Sequence, residues 1–433
     1  MLKKRYTHYL LLLTFSTLTY FAQAQNEAKM VLPIGHTDEF YSAQYNASGS
    51  QIVTASRDKT AKIWDAQTGE LLHSLQGYTD WVKSAQYNAS GSQIVTASGD
   101  KTAKIWDAQT GELLHTLQGH TGWVNSAQYN ASGSQIVTTS YDGTAKIWDA
   151  ETGELLHTFH GHTKSVKSAA YNASGSQLIT TSRLNNSWIW DSQTGELLDT
   201  LDGIAYEHAV IEAPLSFAEY NASGSQILIS SGGNTVRIWD AVKGVLLDNL
   251  QGHSSWISSA HFNATGSQIV TASLDRTAKI WDASTRELLH TLKGETGWIW
   301  SAQFNPTGSQ VVIAESEDPY GRGADEPRYN IARIWDASTG ELLHTLQGHT
   351  DHVTSAHYNA IGSQIVTASY DGTAKIWDAS TGELLHTLQG HTDKVNSALY
   401  NASGSQIVTA GDTTAKIWDA QTGALLHTLG ETK

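Results

Sequence analysis

The triplet Ile-Trp-Asp recurs nine times, with its tryptophan at Trp64, Trp106, Trp148, Trp190, Trp239, Trp281, Trp335, Trp377 and Trp418. Five of the eight intervals are 42 residues and the others are 49, 54 and 41. A period of this kind, filling residues 35 to 429 without an unrelated insert, specifies one array of small stacked units. It overrides the length of 433 residues, which alone would suggest two or three independent domains.

Within the first unit, Phe40 to Tyr45, Gln51 to Ser56, Thr60 to Asp65 and Leu71 to Gln76 are rich in β-branched and aromatic residues, so each predicts a strand. Turn-forming segments separate them: Asn46-Ala47-Ser48-Gly49-Ser50, Arg57-Asp58-Lys59 and Gln67-Thr68-Gly69. The pattern is an all-β chain with one four-stranded antiparallel sheet per repeat. Such a sheet cannot bury both faces alone, whereas stacking neighbours face to face and closing the array buries them, which is the β-propeller solution.

Composition removes several chemistries. Without Cys there is no thiol catalysis, thiolate zinc site or iron–sulfur cluster. The formal charge of −15 opposes attraction to phosphate backbones, so nucleic acid is not an expected partner. At the N-terminus, Lys3, Lys4 and Arg5 precede an apolar stretch from Tyr9 to Phe21, and Ala22-Gln23-Ala24 supplies a small-x-small cleavage pattern. Residues 1–24 are read as a signal peptide removed after Ala24, because the apolar run is shorter than the roughly 20 residues of a spanning helix. The mature protein is then expected to be periplasmic or secreted, with no stable membrane insertion after cleavage. Residues 25–34 are read as a closing strand, and 35–433 as the repeat array.

The Gly-His that opens most units, the Gly-Ser-Gln of the first turn, the Asp of the b–c turn and the terminal Trp-Asp together resemble the WD-repeat β-propeller family. The resemblance covers essentially the whole mature chain. It implies a hydrogen-bonded chain in each blade, running from a His before strand a through a Ser or Thr of strand b to the turn Asp and the Trp of strand c. The matching residues are His36, Thr54, Asp58 and Trp64; His120, Thr138, Asp142 and Trp148; His253, Thr271, Asp275 and Trp281; and His349, Thr367, Asp371 and Trp377. A recurrent Thr, His and Asp is here a structural network and not a catalytic triad, because a catalytic site is needed once and this set repeats around the ring. Some units depart from it: Tyr78 replaces His in the second, Leu184 takes the Asp place in the fourth, Ile204, Ile229 and Gly233 stand in the fifth, and Glu295 and Ile313 in the seventh. In the ninth, Thr409, Asp412 and Trp418 are the best matches. The fifth and seventh blades are therefore expected to be the least stable.

Against this repeated framework, positions that vary from unit to unit are candidates for specialisation. The residues three and five after the His, with the one before the turn Asp, would by the resemblance lie on the top rim of the ring. They bring together Tyr41, Arg57, Trp81, Trp123, Tyr141, Arg183, Trp256, Trp298, Trp300, His352 and Tyr370, which are mostly residue types enriched in binding hot spots. Packing of these tryptophans between blades is the alternative. Two inserts, 204–216 and 315–329, lengthen loops that could carry function. The repeated Leu-Leu-His on the outermost strand, at His73, His115, His157, His290, His344, His386 and His427, reads as a polar edge that discourages pairing between molecules. Asn-Ala-Ser at Asn46, Asn88, Asn130, Asn172, Asn221 and Asn401 matches a glycosylation sequon, but turn chemistry explains it.

Nine units imply one closed ring of nine blades, with seven or eight blades plus leftover repeats as the alternative. The expected function is a non-enzymatic protein- or peptide-binding scaffold outside the cytoplasm, without cofactor, metal or catalytic residue. A carbohydrate-binding propeller is the alternative, since exposed tryptophans also stack on sugars, and a hydrolase or lyase in the central channel is a more remote one.

Overall fold

A computed structural model describes residues 35–38, 40–182, 187–201, 216–231, 233–243, 245–294, 297–316, 330–411 and 414–429. They form nine four-stranded antiparallel sheets, each built from four consecutive strands a, b, c and d, arranged as a nine-bladed β-propeller. The blades span 40–75, 82–117, 124–159, 166–201, 216–250, 257–293, 298–349, 353–389 and 395–429. In the first, a is Phe40–Tyr45, b is Gln51–Ser56, c is Ala61–Asp65 and d is Leu71–Leu75. Leu425–Leu429 supplies strand d of the ninth blade. Residues 1–34, which contain the expected signal peptide and closing strand, lie outside the described residues.

Strand b shows why the blades must stack. Ile52, Val53, Thr54, Ala55 and Ser56 are all buried, so neither face of the strand meets water. The core consequently lies between blades: Val95, Ile105 and Leu117 of the second pack against Val124, Ile136 and Trp148 of the third. Each such aliphatic side chain contributes about 1.5–3 kcal/mol on burial. The ring closes the same way, with Phe40, Ile52 and Trp64 of the first blade against Val408, Ile417 and Leu429 of the ninth.

The a–b turn is held by its asparagine. Asn46 Oδ1 accepts from the Ser50 and Gln51 amides at 2.9 and 3.2 Å, and its Nδ2 donates to Ser50 Oγ at 3.2 Å. The side chain is buried, so the sequon asparagine is used by the turn itself.

The outer-strand histidines do something the sequence did not suggest. His73 Nε2 donates to the Gln109 carbonyl of the next blade at 2.7 Å, His115 to Glu151 at 2.7 Å, His344 to Ser380 at 2.8 Å, and His427 to Gln67 across the closure. They are clamps between blades rather than a polar fringe. Each lies against the left-handed glycine of the neighbouring c–d turn: Gly111 has φ 71°, and a Cβ there would sit 2.6 Å from the His73 ring. In the fourth and fifth blades the clamp residue is Asp199 or Asp248, and the turn after Asp248 carries Arg286 at φ 64° in place of glycine.

The fifth blade thus lacks a histidine clamp on either side, and the Trp239 indole N–H is buried without a hydrogen-bond partner. Its amides are expected to exchange fastest of the nine blades under native conditions. Hydrogen exchange resolved by blade checks this, and protection of 216–250 equal to that of 124–159 would reject it.

Candidate functional site

The framework network forms in the blades where the sequence keeps its residues. In the third blade, Trp148 Nε1–H donates to Thr138 Oγ1 at 2.8 Å, the threonine hydroxyl meets His120 Nε2 at 2.8 Å, and His120 Nδ1 meets Asp142 Oδ2 at 2.9 Å. Asp142 also accepts from the Thr121 amide at 2.8 Å and from Thr144 Oγ1 at 2.6 Å. Placing the Nδ1 proton against the carboxylate leaves Nε2 as acceptor for the threonine, and every polar atom is satisfied. The His36, His253 and His349 sets repeat this geometry.

The departures are each accommodated differently. Tyr78 hydroxyl bonds Thr96 and accepts from Trp106 Nε1 at 2.9 Å, standing in for the imidazole. His162 keeps Thr180 at 2.8 Å and stacks on Trp188 at 4.3 Å, but its Nδ1 has no partner among the described residues. In the ninth blade His391 and Trp418 both reach Thr409 at 2.8 Å, while Asp412 is outside the described residues. The seventh blade replaces the network with a buried ion pair, Arg333 to Glu315. Sequence reading assigned Glu315 to an inserted loop; the structure instead continues strand b through Ser316, so the insert begins after it. The readable signal was Arg333, which occupies the place of Lys62, Lys146 and Lys375. Of the other insert, Ser216 opens strand a, and 204–215 lie outside the described residues.

Burial lowers the pKa of His36, His120 and His349 despite their aspartates, and lowers His162 to about 4. Burial would raise the Asp58 and Asp142 carboxyls, yet hydrogen bonds from His and Thr side chains and a backbone amide outweigh it and hold both at about 2. Both groups give the same sign. Below the ordinary imidazole pKa of about 6.5 the unfolded chain takes up protons that the folded histidines refuse, and below about 4 it takes up protons that the aspartates refuse. Stability is therefore expected to fall continuously from pH 7 to pH 3. His162 alone accounts for up to about 3 kcal/mol between pH 6.5 and 4, so His162→Gln should flatten that part of a denaturation-midpoint profile. An unchanged profile would reject the assignment.

The variable positions form a second, surface system. In eight blades the a–b pairing skips one residue of strand a, at Tyr41, Lys83, Asn125, Lys167, Ser258, Trp300, Thr354 and Asn396. A β-bulge re-aims the extra side chain out of the ladder, and these are the residues five after the His position. Three of the small ones tie blades together: Asn125 Nδ2 donates to the Val166 carbonyl at 2.8 Å, Ser258 to that of Ile299 at 2.6 Å and Thr354 to that of Val395 at 3.2 Å. The large ones join an aromatic arc. Tyr41 lies 6.1 Å from Trp81, Trp81 6.2 Å from Trp123, and Trp123 5.5 Å from Tyr141. The Arg57 guanidinium sits 4.4 Å over Trp81, and Lys83 Nζ lies 4.7 Å over Trp123 and 5.0 Å over Tyr141.

Tyr41, Trp123 and Tyr141 are 42–43% exposed, whereas Trp81, Trp256, Trp298 and Trp300 are half-buried. None of these tryptophans is enclosed between blades. Among the described residues, Tyr41, Arg57, Trp81, Trp123 and Tyr141 are contiguous over three blades. Trp298 and Trp300 form their own pair at 5.8 Å, and His352, Tyr370 and Lys394 another group. Arg183 lies outside the described residues.

A feature missed from sequence lies at the a–b turn ends of blades five to eight. There the glutamine seen at Gln44, Gln86 and Gln128 gives way to Glu219, His261 and His357 and is kept as Gln303, and these four line a cavity of about 360 Å³ with Phe262, Phe304 and Tyr358. Glu219 Oε2 meets His261 Nδ1 at 2.7 Å and Gln303 Oε1 meets His357 Nδ1 at 3.0 Å. Among the described residues no group of three or more His, Asp or Glu is placed to hold a metal ion.

The WD domain, G-beta repeat family matches residues 28–65, 69–107, 111–149, 153–191, 244–282, 286–320, 340–378 and 382–419. The fifth blade's strands a, b and c fall outside these matches, consistent with its loss of the network residues. Among solved structures, the chain is similar to the computationally designed Ika8 protein, with 24% identity over 89% of this chain and 97% of that one and a TM-score of 0.58. That likeness concerns the fold alone.

Proposed function

The chain belongs to the WD40-repeat family, and on that premise we propose that it is a non-enzymatic scaffold, exported from the cytoplasm, that holds protein or peptide partners on the aromatic top face of the ring. WD40 propellers are generally non-catalytic scaffolds that bind protein partners. One observation carries the finer reading: where the repeated framework varies, it gathers Tyr41, Trp81, Trp123 and Tyr141 into a continuous half-exposed arc across three blades. Large aromatic side chains in contact, with Arg57 and Lys83 above them, are the composition of a binding hot spot. Export rests on the basic, apolar and small-residue succession at residues 3–24.

The test is a pull-down from the native extracellular fraction with wild type and a Trp81→Ala, Trp123→Ala variant whose unfolding midpoint is unchanged. Loss of a specific partner from the variant is expected, and full retention would reject the top face. Competition by free sugar would favour carbohydrate recognition instead. Amino-terminal sequencing of the exported protein is expected to start at Gln25, and a start at Met1 would reject cleavage.

A further inference from the structure

The bulges of blades two, three and four place Lys83, Asn125 and Lys167 side by side on the inner rim. Lys83 Nζ stands 3.5 Å from Asn125 Oδ1 and over the Trp123 and Tyr141 rings. Asn125 Nδ2 is committed to Ser165 Oγ at 3.0 Å and the Val166 carbonyl at 2.8 Å, so its oxygen faces the lysine and its position is fixed. Burial first, and then the charge of Lys167, lower the Lys83 pKa, while Asp80 opposes them. The register puts Lys167 at the equivalent bulge two blades on from Lys83, close enough for its charge to act on Lys83. The eight bulge residues include two lysines and no acidic side chain, although the chain as a whole carries −15. Of the acids in this region, Asp80 attracts Lys83 while its Oδ1 accepts the Trp81 amide at 2.8 Å, and Asp38 lies 4.0 Å from Arg57.

We propose that this rim is an anion cradle for an acidic peptide segment, with Lys83 and Lys167 receiving its carboxylates and the Trp123 and Tyr141 rings receiving an adjacent apolar side chain. The inference deepens the scaffold reading and rests on it. Charge complementarity selects the occupant: a basic segment would set its cations against Lys83 and Lys167, whereas a carboxylate offers these ammonium groups charge-assisted partners. An acidic chain repels an acidic partner at long range, so the contact should require close fit at the rim.

The test uses a short fluorescein-labelled peptide alternating Glu with Leu, its Gln–Leu counterpart and a Lys–Leu counterpart, titrated against the full chain by fluorescence anisotropy. The Glu peptide is expected to bind with at least about tenfold preference over the Gln peptide. That preference should shrink with added salt and disappear in Lys83→Gln, Lys167→Gln. Lys167 is exposed and Lys83 half-buried, and an unchanged unfolding midpoint confirms that the variant is folded. Equal binding of the Glu and Gln peptides, or an unaltered preference in the lysine variant, overturns the anion cradle. If the native partner is still lost from the Trp81→Ala, Trp123→Ala variant while no Glu preference is seen, the cradle fails and the scaffold reading stands. If Glu preference survives in that tryptophan variant, the acidic segment binds elsewhere and the cradle fails.

Discussion

Replacing Glu315 by Ala is expected to destabilise the protein by about 3–5 kcal/mol, because it strands the Arg333 guanidinium without its carboxylate in the interior. Both side chains are 2% exposed or less, so water cannot take the carboxylate's place. Arg333→Ala should cost a similar amount from the other side. The double replacement Glu315→Met, Arg333→Met removes both charges and keeps the volume filled, so it is expected to recover most or all of the loss. Urea midpoints of the three variants, with hydrogen exchange to confirm that the effect centres on residues 298–349, measure this. Single variants within about 1 kcal/mol of wild type would mean that the pair is solvated and does not organise the blade.

Thr138→Val is the second large effect. The two side chains have nearly the same shape, yet the change removes the acceptor of Trp148 Nε1–H and the donor to His120 Nε2 together. Each orphaned buried group costs about 1–3 kcal/mol, so a loss of about 2–5 kcal/mol is expected. The protein should still fold, because the fifth and seventh blades carry Ile229 and Ile313 at this place, and Trp239 and Trp335 there have buried indole nitrogens without partners. A thermal unfolding midpoint equal to wild type would show that the network contributes nothing beyond packing.

Much of the fold was legible because its determinants are local. The strand limits read from Phe40 to Tyr45 and Gln51 to Ser56 agree with the structure to the residue, since β-branched runs and Asn-Ala-Ser-Gly-Ser turns act within a few positions. What escaped depends on contacts between units. The bond from His73 to Gln109 joins residues 36 apart, and only in the folded ring does the histidine meet Gly111. A trace of it is present in the sequence, where Asp248 precedes a turn bearing Arg286 in place of glycine. The bulges were hidden for a related reason: an extra residue in strand a leaves the 42-residue period untouched. The variable positions could be recognised as special, but not divided into Asn125, Ser258 and Thr354, which tie blades together, and Lys83 and Trp300, which do not share those bonds. The Glu315–Arg333 pair was obscured because its acid stands next to an insert that ends the repeat pattern.

Among the described residues every blade is completed by four consecutive strands, and the first and ninth meet through side chains, the bond from Gln406 Nε2 to the Ala66 carbonyl at 3.2 Å and the His427 clamp. The junction between the first and last blades therefore interrupts no sheet. Joining them covalently and reopening the chain at another d–a loop would give a circular permutant with all nine ladders intact. Such a permutant would differ from the parent in the order in which its blades are synthesised, and in which interface must close by encounter of distant chain segments rather than by a short loop.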